Sequence, residues 1–210
     1  MRKLEDLAAI VAAGAPVVLP FPTPLPYVVA GLDPAAVNEA KGRPADQPVG
    51  LLLPDLDRVA DHIDLAAEGL AFAAWLSTHE RLNLFVPARD PMPDRLRPST
   101  SDGWLAITLA VLDEVRPLLE YHSRLCLSSA NRTGGPVATT AESADVAFGG
   151  ALPVLDGAAA RDPSRPSGSA TIVRVGPARR LEIVRNGIQT AHHPGTLDDY
   201  LADLTRRYAG

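Results

Sequence analysis

Lysine is nearly missing from these 210 residues: only Lys3 and Lys41 stand beside eighteen arginines. With abundant alanine, that bias is the drift of a GC-rich coding sequence, and against it Lys41 stands out. Cysteine is scarcer still, since the single Cys126 can form no internal disulfide. No stretch approaches eighteen uninterrupted apolar residues, so no ordinary membrane-spanning helix is expected. Met1 to Asp6 lead into charge rather than into a secretory signal core. A soluble, cytoplasmic protein without a membrane partner is the expectation. A basic excess is lacking too: the formal net charge is −5, which argues against a chain that coats nucleic acid, although a local basic cleft is compatible with it. His62, His79, His122, His192 and His193 fall in no zinc spacing, so no metal site is expected. Neither a Gly-x-Ser-x-Gly elbow nor a Walker or dinucleotide loop is present.

What is there is apolar material enough, 46% of residues, for one substantial core, and a single domain over 1–210 is predicted. Arg2 to Ala13 carries a helical stripe of Leu4, Leu7, Ala8 and Val11 that ends at Gly14 and Pro16. Val17 to Phe21 reads as a strand, and Pro20, Pro22, Pro24 and Pro26 make the next stretch a shaped, irregular loop. A short helix from Asp33 or Pro34 to Ala40 precedes a buried strand over Pro48 to Leu53. Leu56 to Ser77 reads as two helices broken near Gly69. Strands are predicted at Leu82–Val86, Trp104–Val111 and Leu125–Leu127, with a helix over Leu112–Tyr121. Thr139 or Thr140 caps a helix to Phe148; Ala170–Val175 and Leu181–Val184 form a strand pair, and a last helix covers about 196–208. Asp156 to Ser169, polar and without periodicity, is predicted as a mobile surface loop able to close over a ligand. The fold class expected is α/β, a mixed sheet covered by helices.

Three polar clusters end apolar runs: Lys41-Gly42-Arg43-Pro44, Ser128-Ser129-Ala130-Asn131 with Thr133-Gly134, and Ser167-Gly168-Ser169-Ala170-Thr171. Lys and Arg two apart in an extended loop would project to one side and offer a point charge and a planar fork to phosphate oxygens. Small hydroxyl residues beside glycine let amide and hydroxyl donors approach the same anion. Singly, each cluster is also what an ordinary turn looks like.

In order and spacing the clusters resemble the YrdC-type family of threonylcarbamoyl-AMP synthases. Its Lys-x-Arg-Pro motif reads Lys41 to Pro44, and its Ser-Ala-Asn-x-Ser-Gly motif reads Ser129 to Gly134 with Thr133 for Ser. Its late strand reads Thr171 to Val173, followed by Arg185-Asn186-Gly187; Pro22-Thr23 and Tyr27 match an early signature weakly. The resemblance spans about residues 14–187. It implies a single twisted mixed sheet flanked by helices with an open, concave nucleotide-binding cleft. It further implies condensation of ATP, bicarbonate and L-threonine into threonylcarbamoyl-AMP with release of pyrophosphate, for modification of adenosine 37 in certain tRNAs. ATP would be a substrate, with Mg2+ allowed alongside it. Carried over, Lys41 and Arg43 would serve catalysis, and Lys41, Arg43, Ser129, Asn131 and Arg185 would hold the nucleotide. Thr23, Tyr27, Gln47, Thr108 and Thr171 would form the amino-acid side.

That second side departs from the family. The early Asp and second Thr are Pro24 and Leu25, and Pro-Gly-Pro-Leu-Thr is replaced by His79-Glu80-Arg81-Leu82-Asn83. The Val-Arg-x-Pro segment, whose Arg is expected to meet the threonine carboxylate, aligns with Ile107-Thr108-Leu109-Ala110. Losing that cation would cost about 1.5–3 kcal/mol of carboxylate binding, unless Arg81, Arg116 or Arg124 replaces it. The readings are therefore a synthase for threonine, a carbamoyl-adenylate enzyme for another amine, or a nucleotide- or RNA-binding paralogue without turnover. A downstream carbamoyl transferase is a further expected partner.

Overall fold

The computed structural model describes residues 3–209; the predicted start of the first helix, Arg2, lies outside them. Helix α1 (Leu4–Ala12) buries Leu7 and Val11, one turn apart, as its stripe requires. The chain continues through β1 (Val17–Leu19), β2 (Val28–Gly31), α2 (Pro34–Ala40), β3 (Gly50–Leu52), α3 (Ala67–Thr78) and β4 (Asn83–Pro87). Then come β5 (Thr100–Ser101), β6 (Trp104–Thr108), α4 (Arg116–His122), β7 (Leu125–Ser129), α5 (Ala141–Phe148) and β8 (Ile172–Val175). The chain closes with β9 (Leu181–Arg185), α6 (Ile188–Ala191) and α7 (Leu197–Ala209).

All nine strands join one mixed sheet in the order β1-β2-β7-β3-β6-β4-β8-β9, with β5 paired to β6. Two joints, β3 with β6 and β4 with β8, are parallel and the others antiparallel. The alternation of side chains divides the sheet into three packed regions. Leu51, Leu84, Val86, Leu105, Ile107 and Val173 pack under Phe72 and Leu76 of α3 and Tyr200 and Leu204 of α7. At the β1-β2-β7 end, Val28, Ala30, Leu125 and Leu127 meet Leu7 and Val11 of α1 and Leu118 and Leu119 of α4. The other face of that end, with Val18, Val29 and Cys126, is covered by Val37 of α2 and Ala144 and Phe148 of α5. One end of the sheet is thus sandwiched on both faces. At the other end, the face opposite α3 and α7 lines a hollow with Asn83, Phe85, Ala106, Thr108 and Ile172.

Several expectations are corrected. The proline-rich stretch does not stay irregular through Gly31: after Pro26 the run Val28–Gly31 is a strand hydrogen-bonded to β1 and β7. Gly69 does not break a helix. It sits inside α3, and a methyl there would stand 3.3 Å from Leu65 Cβ, so the glycine permits a close approach. The segment before α3 contributes a single turn of 3-10 helix, Ala60–His62. Thr140 is the cap of α5, in a capping box with Ser143.

The segment 156–169 is held down by hydrogen bonds rather than by apolar burial. Arg161 donates through Nη1 to the Phe21 carbonyl and through Nη2 to Leu25 O at 2.8 Å and Ser167 Oγ at 3.0 Å. Its guanidinium lies 5.1 Å from the Tyr27 ring centroid. Asp162 N donates to Thr23 Oγ1 at 3.1 Å, Gly157 N to Tyr27 Oη at 3.2 Å, and Gly168 N to Pro24 O at 3.0 Å. An Arg161→Ala protein should therefore be cut by subtilisin within 156–169 at least about tenfold faster than wild type, because local opening no longer breaks these bonds. Equal rates would show that the side chain does not restrain the segment.

Candidate nucleotide and acceptor site

Lys41-Gly42-Arg43 forms the C-terminal cap of α2, not an extended loop. Gly42 takes the left-handed conformation, φ +68. Arg43 N bonds to Asn38 O at 3.1 Å and Gly42 N to Glu39 O at 2.9 Å, the two-bond pattern of a Schellman motif. Only glycine enters that conformation at little cost, so Gly42 fixes how the two cationic side chains leave the helix. Lys41 is 4% exposed. Its Nζ donates to the Ser129 carbonyl, to Asn131 O at 2.7 Å and to Asn131 Oδ1 at 3.0 Å. Three donors meet three acceptors, so the ammonium staples the α2 cap to the end of β7 and offers a ligand its charge rather than a spare N–H. Burial, reinforced by Arg43, brings its pKa down from 10.5 to about 8.

Arg43 complements this. Its Nε donates to Asn38 Oδ1, while its Nη2 is buried without a hydrogen-bond partner among the described residues. Asn38, fully buried, also donates to Ala45 O at 2.9 Å and Gln47 O at 2.8 Å, closing the loop that carries Arg43. Across the staple, Ser129 Oγ donates to Asn131 Oδ1 at 2.7 Å, and Asn131 Nδ2 donates to Arg132 O at 3.0 Å and Gly135 O at 2.8 Å. Thr133 returns to the cap, its N and Oγ1 both bonding Lys41 O, at 3.2 and 3.1 Å. The first two predicted clusters are thereby one hydrogen-bonded unit.

Beside that unit lies the hollow on the sheet, a cavity of about 240 Å³. Apolar side chains, among them Phe21, Leu25, Phe85 and Leu127, make most of its wall; Ser128, Ser129, Ser169, Asn83, Thr108 and Arg185 supply the polar part. A space below the roughly 300–1,000 Å³ of pockets that enclose larger ligands suits a small molecule, not a whole nucleotide. Arg185 donates to Ala170 O through Nε at 3.3 Å and Nη2 at 2.8 Å, which leaves Nη1 for a ligand, and burial lowers its pKa.

Of the residues expected to hold a nucleotide, Lys41, Arg43, Ser129 and Asn131 come together and Arg185 stands on the cavity wall. Of the amino-acid set, Thr108 alone lines the cavity. Thr23 and Tyr27 are buried under the 156–169 segment, where they accept the Asp162 and Gly157 amides, and burial raises the Tyr27 pKa. Thr171 is buried between β8 and α6, its N donating to Gln189 Oε1 at 2.8 Å and its Oγ1 accepting from Thr190 N at 3.3 Å. Gln47 is exposed, its carbonyl held by Asn38. Arg81 opens onto a different hollow, with Arg165 and His193. Sequence reasoning missed Asn38, Asn83 and Arg161. For Asn83 a signal existed, its place at the end of the altered His79-to-Asn83 segment; for Asn38 and Arg161 none did.

The family model Sua5_yciO_yrdC, described as telomere recombination, matches residues 10–187. No curated protein sequence matches the chain. Solved structures share the fold. P. abyssi Sua5 complexed with L-threonine is 21% identical with a TM-score of 0.63, over 88% of this chain and 54% of that one. E. coli YciO is 12% identical with a TM-score of 0.65, over 88% and 89% of the two chains. Full-length HypF in its phosphate- and nucleotide-bound form is 16% identical with a TM-score of 0.64, over 91% of this chain and 30% of that one. The chain spans about half the length of the Sua5 proteins it matches.

Proposed function

This chain belongs to the Sua5/YciO/YrdC family, and from that premise we propose that it uses ATP to activate a carbamate as its adenylate. Bicarbonate and an amine condense to a carbamate with loss of water. A carbamate oxygen then attacks the α-phosphorus, the bond to the β-phosphate bridging oxygen breaks, and pyrophosphate leaves. The observation that carries this reading is the Lys41–Arg43 cap stapled to Ser129–Asn131 beside a small cavity. A buried ammonium and a guanidinium with an unpartnered Nη2 favour a polyphosphate at the rim, and the cavity suits the amine.

Chemically little is asked of the side chains beyond placement and charge. Pyrophosphate departure builds negative charge, and cations already fixed in position stabilise it without reorganising. No general base need stand in the cavity, because the amine forms the carbamate as a neutral nucleophile and the carbamate is itself the attacking anion. The L-threonine of the P. abyssi neighbour and the nucleotide of HypF belong to those proteins; here they support the class of reaction, with tRNA modification as one destination of the product.

A reading as a nucleotide-binding protein without turnover is favoured by one observation, that all three Lys41 N–H groups are already used by the protein. Calorimetry with ATP, followed by pyrophosphate measurement after adding bicarbonate and an amine, separates the two. Pyrophosphate release that requires both additions is expected. ATP binding with no release would leave the binding protein, and no ATP binding would sink the proposal.

A further inference from the structure

The cavity contains two polar atoms that the fold leaves unsatisfied. Asn83 opens β4 and Thr108 closes β6, and the last pair of that antiparallel ladder is Leu84↔Ile107. One step further along the same register sets Asn83 opposite Thr108, with both side chains on the face that lines the cavity. Thr108 is 1% exposed. Its Oγ1 and Asn83 Oδ1 are both buried with no hydrogen-bond partner among the described residues. The large majority of buried side-chain polar atoms are paired in folded proteins, so two orphans side by side on a cavity floor point to a ligand that completes them.

The chemistry of that ligand follows from what surrounds the pair. An amide oxygen accepts and cannot donate, and a hydroxyl does both. A carboxylate has no proton to give the orphaned Asn83 Oδ1, and in either orientation of the amide it would bring a charge into a largely apolar wall. Among the described residues lining the cavity Arg185 alone is charged; Ala170 O already holds its Nε and Nη2, and it lies across the sheet from Thr108. It pairs with Ile172 of β8, which pairs with Asn83 of β4, so the Arg185 backbone stands two strands from Asn83 and three from Thr108, about 10 and about 14 Å along the sheet. An ionised group seated on Thr108, the far residue of the pair, would be buried away from that guanidinium, which folded proteins avoid.

Resting on the carbamate-activating reading above, we infer that the amine taken by this site carries, at the position of an amino acid's α-carboxylate, a neutral hydrogen-bond donor, a hydroxyl or a carboxamide, selected by Asn83 and Thr108. Such a group donates to Asn83 Oδ1 and exchanges a hydrogen bond with Thr108 Oγ1. Because it both donates and accepts, it fits either orientation of the Asn83 amide. The amino group would lie toward Ser128 and Ser129, at the end of the cavity nearest the Lys41–Arg43 cap.

The test compares L-threonine, L-threonine amide and L-threoninol, which share an amine and a side chain and differ only at the carboxyl position. With ATP and bicarbonate, the amide or the alcohol should release pyrophosphate with kcat/KM at least about tenfold above that of L-threonine. Thr108→Val should lower the value for the amide roughly tenfold, and Thr108→Ser, which keeps the hydroxyl, should restore it. Thr108→Val should also raise the melting temperature of the ligand-free protein, since an orphaned hydroxyl has been removed from the interior. Preference for L-threonine, or a Thr108→Val protein indifferent in its use of the amide, would overturn the inference. Should no amine elicit pyrophosphate, the proposed reaction fails, and calorimetry of the amide on the protein alone decides the inference. Binding of the amide that Thr108→Val weakens would sustain it, and no binding, or binding insensitive to the substitution, would end it.

Discussion

Replacing Lys41 with Met is expected to abolish measurable ATP binding and to lower the unfolding free energy by about 3 kcal/mol. The two losses have different origins. The stability loss comes from Ser129 O, Asn131 O and Asn131 Oδ1, which lose their shared donor in a place water reaches poorly. The binding loss comes from removing one of two adjacent cations and releasing the β7 end from the α2 cap. Arg43→Ala gives the contrast, since its Nη2 is unpartnered: ATP affinity should fall while the unfolding free energy changes by about 1 kcal/mol. A pH dependence follows from the same lysine. The ammonium is charged below about pH 8, so ATP binding should weaken as pH rises through that value. Stability moves the other way. The folded pKa lies below the unfolded 10.5, so between about pH 8 and 10.5 the unfolded chain holds more protons and unfolding becomes harder as pH rises. Burial of Cys126, which raises its thiol to about 11, opposes this above pH 9. The clean measurement is therefore the difference in unfolding free energy between wild type and Lys41→Met across the window. A flat difference would mean that burial does not hold the Lys41 pKa down.

The contrast between Lys41 and Asn38 shows what a sequence can disclose about such a site. Lys41 was visible because lysine is scarce and because Lys-x-Arg-Pro recurs in a known family. Ser129 and Asn131 were named through the same resemblance, but not as hydrogen-bond partners of Lys41, because they lie about ninety residues away and only the sheet, with β7 beside β2 and β3, brings them to the cap. The mixed sheet was legible in the alternation of apolar runs with helical stripes. β2 was not: four prolines ahead of it masked a run short enough to be loop, and it becomes a strand because both its edges are paired. Segment 156–169 misled for a related reason. Composition reports apolar burial, and this segment is fixed by one guanidinium and three backbone amides, which leave no periodic trace. The cavity floor was half legible, Thr108 through the residue it replaces and Asn83 only through the register that sets the two side by side.

Asn38→Ala should cost about 3 kcal/mol in stability and roughly tenfold in ATP affinity, although Asn38 touches no ligand. Three hydrogen bonds end on its side chain, from Arg43 Nε and to Ala45 O and Gln47 O, each contributing about 1 kcal/mol net. The rest of the effect is geometric. With Asn38 gone, the Arg43 guanidinium loses the acceptor that orients it, and the loop from Pro44 to Gln47, exposed at every position, loses the side chain that closes it onto α2. Asn38→Asp divides the two roles. A carboxylate still accepts from Arg43 Nε, more strongly than an amide, but cannot donate, so it faces the Ala45 and Gln47 carbonyls with lone pairs opposed. The Asn38→Asp protein should therefore lose at least as much stability as the Asn38→Ala protein while keeping more of the ATP affinity. Chemical denaturation and calorimetry on the same pair of proteins read the two quantities separately. If ATP affinity falls in step with stability in both, Asn38 acts on the nucleotide site through the loop as a whole; if the carboxylate of the Asn38→Asp protein preserves binding in a weakened fold, orientation of the Arg43 guanidinium is what Asn38 contributes.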